Sequence, residues 1–174
     1  MAFFSDGQNR LKLYLLFALK CFRTPVTREQ LFAVLGAVDP ADYFSVCSLA
    51  GELEEEQYLI SVPVKERQLL YLTEKGEKLV SAFGAEIARS VRDEIVGLTD
   101  EARESVRREN CITAEAQPRP DGTWELTLAL IDGEGELFSM TLRMPDAPSA
   151  SNARRKWLAE AGNIYAGLFR ELAE

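Results

Sequence analysis

The sequence contains no histidine. That removes the commonest general base, proton shuttle and metal ligand at once, and most catalytic schemes with them. Cysteine is scarce and odd in number. Cys21, Cys47 and Cys111 are widely spaced and give neither a disulfide framework nor a C-x-x-C metal knuckle, so reduced core thiols are expected. No apolar run approaches a membrane span. The longest near the start, Leu13–Leu19, is clamped between Lys12 and Lys20 and reads as a buried helix. The first residues, Met1-Ala2-Phe3-Phe4-Ser5-Asp6, lack the basic and apolar stretches of a secretory signal, and a cytoplasmic location is expected. Glycine-rich phosphate loops, nucleophile elbows and metal-ligand spacings are missing too. Consecutive carboxylates such as Asp93-Glu94 and Asp100-Glu101 point in different directions on a helix, so no acid/base pair converges. Neither an enzyme nor a cofactor or metal ion is expected.

What is present is an ordinary globular composition. The 174 residues are 47% hydrophobic and 28% charged, enough to build a core in one domain or two small ones. The net charge of −8 opposes binding to nucleic acid, because phosphate contacts need Lys and Arg. The acidity is unevenly divided. Residues 1–84 carry 9 basic and 11 acidic side chains, and residues 85–174 carry 11 and 17.

Periodicity divides the first half into helices and a hairpin. Leu11, Tyr14, Leu15, Ala18, Leu19 and Phe22 share one helical face between Asn9 and Arg23. Thr27 and Gln30 form a capping box ahead of a short second helix ending near Gly36. Asp39-Pro40 offers an N-cap and first-turn proline for a third helix carrying Phe44, Val46, Leu49, Ala50 and Leu53 to about Glu56. Tyr58–Val62 and Leu69–Leu72 read as strands joined by a charged turn, and Thr73 caps the helix that follows. Beyond Gly84, the stripe Ile87, Val91, Ile95 and Leu98 predicts one kinked helix or two consecutive ones, with a fresh N-cap at Thr99. Alternation over Ile112–Gln117, Thr123–Ile131 and Glu136–Met144 predicts a three-stranded antiparallel meander. A loop, Pro145–Ser149, leads to a last helix whose face of Trp157, Ala161, Ile164, Tyr165, Leu168 and Leu172 should cover the meander.

Two strings carry a resemblance. Leu53-Glu54-Glu55-Glu56-Gln57-Tyr58-Leu59-Ile60 resembles the end of a recognition helix passing into the first wing strand of MarR-like and PadR-like transcriptional regulators. Tyr71-Leu72-Thr73-Glu74-Lys75-Gly76 resembles their second wing strand and the next helix. The pattern departs at Gln57, which stands where those proteins usually carry a glycine in the left-handed conformation. The whole chain, including Trp157 and Ile164-Tyr165, is also similar to an uncharacterised bacterial family with a winged-helix N-terminus. The resemblance implies an α+β protein with a winged helix-turn-helix over residues 9–84. A dimerisation or sensing unit over residues 85–174 would contain a helix, the meander and the C-terminal helix.

The function implied is a DNA-binding transcriptional regulator, and paired half-sites suit a homodimer. In such a module the third helix enters the major groove and the wing reaches the backbone. The candidate DNA contacts are Arg28, Tyr43, Ser45, Ser48, Lys65 and Arg67. Asp42, Ser45, Ser48 and Glu52 should be exposed on the third helix, flanked by Tyr43 and Cys47, yet no Lys or Arg lies between Asp39 and Val64. That deficit keeps an alternative open: a winged helix that does not bind DNA and serves as a protein-interaction module. A small-molecule sensor would need a pocket beside the meander. The cationic run Arg154-Arg155-Lys156, placed near the start of the last helix, is expected to find neighbouring Asp or Glu.

Overall fold

Capping residues and turn signals set most of the element boundaries. The computed structural model describes residues 6–64, 66–132 and 135–173 and is α+β. In order come α1 (Gly7–Phe22), α2 (Arg28–Val38), α3 (Tyr43–Glu55), β1 (Leu59–Val64), β2 (Arg67–Leu72) and α4 (Glu74–Phe83). A 3-10 turn (Gly84–Glu86) then precedes α5 (Arg89–Cys111), β3 (Ile112–Pro118), β4 (Trp124–Asp132), β5 (Gly135–Met144) and α6 (Ala147–Ala173). The strands form a β1-β2 hairpin and an antiparallel sheet of order β3-β4-β5. Two compact units result, Met1–Val106 and Arg107–Glu174. No single helix among the described residues is long and apolar enough to cross a membrane.

In the first unit, Leu15 and Phe22 of α1, Leu31 and Leu35 of α2, Val46 and Leu53 of α3 and Leu59 and Leu70 of the hairpin share one core. Each such side chain contributes about 1.5–3 kcal/mol on burial. Helix α1 stops where Arg23 turns left-handed at φ 54°. Its last carbonyls are not left unpaired: Arg103 of α5 donates from Nη2 to Cys21 O at 2.6 Å and from Nε to Phe22 O at 3.0 Å. The capping box predicted at Thr27 and Gln30 forms in both directions.

The predicted start of the third helix is displaced. Asp39 closes α2, its N–H donating to Leu35 O at 2.9 Å, so α2 runs through Gly36 to Val38. Asp42 is the N-cap of α3, its carboxylate accepting from Ser45 N at 2.9 Å. Phe44, expected in the core, lies half a turn from Leu53 in helical phase, points outward and is 82% exposed. At the other end Gln57 adopts φ 64°. Tyr58 N donates to Leu53 O and Gln57 N to Glu54 O, the paired bonds of a left-handed helix stop made without glycine.

The hairpin is longer than predicted and includes Pro63, which β1 tolerates because it is an edge strand. On its other side β2 meets the segment between α1 and α2. Leu70 N donates to Val26 O at 2.8 Å and Val26 N to Leu70 O at 3.4 Å. Thr73 caps α4 through Gly76 N at 3.1 Å. Gly76 is obligatory, because a Cβ there would overlap the Tyr58 carbonyl and Leu72.

Of the two expected alternatives, one kinked helix or two consecutive ones, α5 is a single helix, Arg89–Cys111, and the fresh cap expected at Thr99 does not form. Thr99 is fully buried and donates its hydroxyl to Ile95 O at 2.8 Å, one turn back, instead of capping a new helix. In the second unit Leu126, Leu128 and Leu130 of β4 pack with Ile112 and Ala114 of β3 against Trp157 and Ala161 of α6. Asp146 caps α6 by accepting from Ser149 N at 2.8 Å, so Pro148 and Ser149 belong to its first turn and not to a loop. The helix is interrupted at Glu160 (φ −130°, ψ 18°). Leu172, expected on the covering face, is instead 85% exposed.

Candidate nucleic-acid interface

The candidate contacts occupy three starting points in the first unit. Arg28 opens α2, Tyr43 and Ser45 open α3 with Ser48 one turn on, and Arg67 opens β2 opposite Val64. Lys65 lies outside the described residues. Helix α3 turns 117° away from α2 across the four-residue connection Asp39–Asp42.

Most of these side chains are already engaged. Arg28 Nη2 lies 3.6 Å from Glu54 Oε2, while Glu54 Oε1 accepts from Ser61 N at 3.2 Å, so one carboxylate ties α2, α3 and β1. Tyr43 donates its hydroxyl to Glu29 Oε1 at 2.8 Å, and its ring meets Phe32 edge-on at 5.5 Å. The Cys47 thiol and the Glu29 carboxylate both push the Tyr43 phenol well above its usual range, so it remains a donor. Hydrogen bonds from its own backbone N–H and from Tyr43 hold the Glu29 carboxyl below its usual range. The Ser45 hydroxyl donates to Asp42 Oδ2 at 2.9 Å, and hydrogen bonds from Ser45 hold Asp42 ionised to lower pH than usual. Ser48 is exposed.

The exposed positions predicted for α3 are exposed: Asp42, Ser45, Ser48 and Glu52 face solvent, with Tyr43 and Cys47 half-buried beside them. Two features were not foreseen. Phe44 adds a large aromatic to this face, and the cations nearest α3 are neutralised by its own carboxylates. Lys12 sits 2.9 Å from Glu52 and 3.0 Å from Glu56. Partial burial opposes the Lys12 charge, but hydrogen bonds to Glu52 and Glu56 outweigh it and raise its pKa. Arg10 lies 3.4 Å from Asp39. The run Glu54-Glu55-Glu56 looked uniform in sequence. Only the helix phase reveals that Glu54 and Glu56 face cations while Glu55 faces solvent.

Among the described residues, no group of three or more Cys, Asp or Glu is placed to hold a metal ion. Burial pushes the Cys21 thiol up, which keeps it a weak nucleophile. A family model for a domain of unknown function, DUF4364, matches residues 11–172. The chain belongs to the DUF4364 family. The match takes in both units of this DUF4364 chain, as the similarity to an uncharacterised family implied. Searches of curated proteins and of solved structures each return no match.

Proposed function

We propose that the first unit is a winged helix-turn-helix and that the protein is a homodimeric, cytoplasmic, DNA-binding transcriptional regulator of the kind MarR-like and PadR-like proteins represent. The observation that carries this reading is the Val26–Leu70 bridge. It fastens the segment between the first two helices to the second strand of the hairpin, holding the hairpin beside the helices as a wing must be held. The four-residue turn and 117° angle between α2 and α3 add support, since helix-turn-helix pairs cross at roughly 90–120°. In this reading α3 approaches the major groove, with Tyr43, Ser45 and Ser48 toward bases and Arg28, Lys65 and Arg67 toward phosphates.

The test is binding of the full chain to pooled genomic fragments across a salt series. Affinity should fall with salt by a log–log slope of roughly −0.9 per phosphate contact, and Arg67→Glu and Lys65→Glu should each weaken it. Absence of binding at low salt overturns the proposal.

One observation favours a second reading, a winged helix that docks protein and does not bind DNA. The outer face of α3 presents Phe44 at 82% exposure among Asp42, Glu52 and Glu55, while Lys12 and Arg28 are paired internally. Under that reading Phe44→Ala abolishes partner binding and the genomic fragments are not retained.

A further inference from the structure

The cationic run Arg154-Arg155-Lys156 does not find the acidic neighbours its sequence suggested. Helix α6 starts earlier than predicted, so these residues stand in its second and third turns, where the dipole penalty has faded. Their charge nevertheless has no counterion among the described residues. Arg154 Nε donates to Ala114 O at 3.1 Å, Arg155 Nη2 donates to Asn152 Oδ1 at 2.9 Å, and none of the three makes an ion pair among the described residues. From Ala147 to Ala159, α6 contains no Asp or Glu. In a chain of net charge −8 this is an unusual concentration of unneutralised positive charge.

Arg154 of this run borders a groove of about 470 Å³ between the first turns of α6 and strand β3, with Arg155 on the adjoining flank of the helix and Lys156 on the opposite face. The walls are small residues, Ala114 and Ala116 on the strand and Ala147, Ala150 and Ser151 on the helix, with Trp124 and Arg154 beside them. Glu115 and Gln117 also border it, but their side chains alternate to the sheet face away from α6.

Strand β3 is an edge of its sheet, so half of its backbone groups have no strand partner. Two bonds say which half. Arg119 N donates across the hairpin to Thr123 O at 2.8 Å, so odd-numbered residues face β4. Ala114 O accepts from Arg154, so even-numbered residues face outward along the groove. The N–H and C=O of Ala116 and the N–H of Ala114 are therefore presented to whatever occupies it.

Free strand edge, small-residue walls and unneutralised cations point to one occupant. The geometry points to a docking site for an extended acidic peptide segment of a partner protein, added as a fourth strand beside β3 with its carboxylates toward Arg154 and the adjoining Arg155. The backbone supplies the main-chain bonds, the alanines leave room for the peptide, and the cations select acidic sequence. The lining from Ala114 to Gln117 spans about 13 Å at roughly 3.3 Å per residue, matching a core of about four residues. A nucleic acid would use the charge but not the backbone edge. The site lies wholly in the second unit and does not depend on the DNA reading of the first.

The experiment is selection of a displayed library of random peptides, about eight residues long, on the full-length protein. Synthetic versions of the enriched sequences are then titrated against the protein. The enriched peptides should be acidic, and their dissociation constants should rise roughly tenfold or more with Arg155→Glu or with Arg154→Ala. N-methylation of alternate peptide residues should abolish binding in one register and be tolerated in the other, which a purely electrostatic contact would not show. Arg155 is exposed, so its variant should melt as the parent does. Failure to enrich acidic peptides, indifference to the charge reversal, or indifference to N-methylation overturns the proposal. So does displacement of the peptide by duplex DNA at matched charge, or a peptide that acts by dissociating a dimer of the chain.

Discussion

The guanidinium of Arg28 lies 3.6 Å from the carboxylate of Glu54, on the face where a phosphate contact would be made. An anion approaching Arg28 therefore competes with a carboxylate already in place. Glu54→Gln should strengthen binding to genomic fragments at low salt, and Arg28→Ala should weaken it and reduce the salt slope by about 1. Stability should change by no more than about 1 kcal/mol in urea unfolding, since both side chains are partly solvated. Unchanged DNA affinity in Glu54→Gln would remove Arg28 from the interface.

Gly76 and Gly51 should respond oppositely to alanine. At Gly76 the new methyl overlaps the Tyr58 carbonyl and Leu72, so Gly76→Ala should cost about 1–3 kcal/mol or more. At Gly51, inside α3, a Cβ meets nothing within 4 Å, and Gly51→Ala should stabilise by about 0.5–1 kcal/mol. Denaturant midpoints of the two variants check both signs.

Gln57 holds a left-handed φ of 64° that glycine adopts without strain. Gln57→Gly should raise the denaturation midpoint by the equivalent of up to about 1 kcal/mol. The Thr73 hydroxyl, which donates to Gln57 O at 2.7 Å, keeps its backbone partner in this variant. A lower midpoint would show that the Gln57 side chain contributes more than its backbone strain costs.

Acid should loosen the starts of α2 and α3. Glu29 and Asp42 both have folded pKa values depressed by hydrogen bonds to their ionised forms. Their contribution is therefore complete above the ordinary carboxylate range and is lost as pH falls through the depressed values. Urea midpoints measured from neutral pH into acid should decline more steeply for the native chain than for Asp42→Asn. Parallel curves would show that the Ser45–Asp42 bonds do not persist in solution.

Much of this architecture was legible because it is written in local chemistry. The Thr27/Gln30 capping box, the cap at Thr73 and the alternation of β3, β4 and β5 depend on neighbours within a few residues. What escaped depends on competition or on distant partners. The cap was expected at Asp39, but Arg10 and Leu35 O engage Asp39 while Ser45 engages Asp42. The exposure of Phe44 follows instead from helical phase, half a turn from Leu53. Thr99 looked like a cap because its burial is a tertiary fact. In the candidate site, the exposed polar positions of α3 followed from helical phase. The pairing of Lys12 with Glu52 and Glu56 spans about forty residues of chain and left no local trace.

The bridge between Val26 and Leu70 also sets a timescale. Both residues have no solvent exposure, and the Leu70 amide is bonded to Val26 O at 2.8 Å. The base of the hairpin therefore cannot open without breaking the core that the helices share, whereas the pair Val64 and Arg67 at its other end lies outside that core. In deuterated water the Leu70 amide should exchange only through global unfolding and the amides near the tip through local fraying. The hairpin is then a lever with a fixed root, free to adapt its end to a surface while its angle to the helices stays constant.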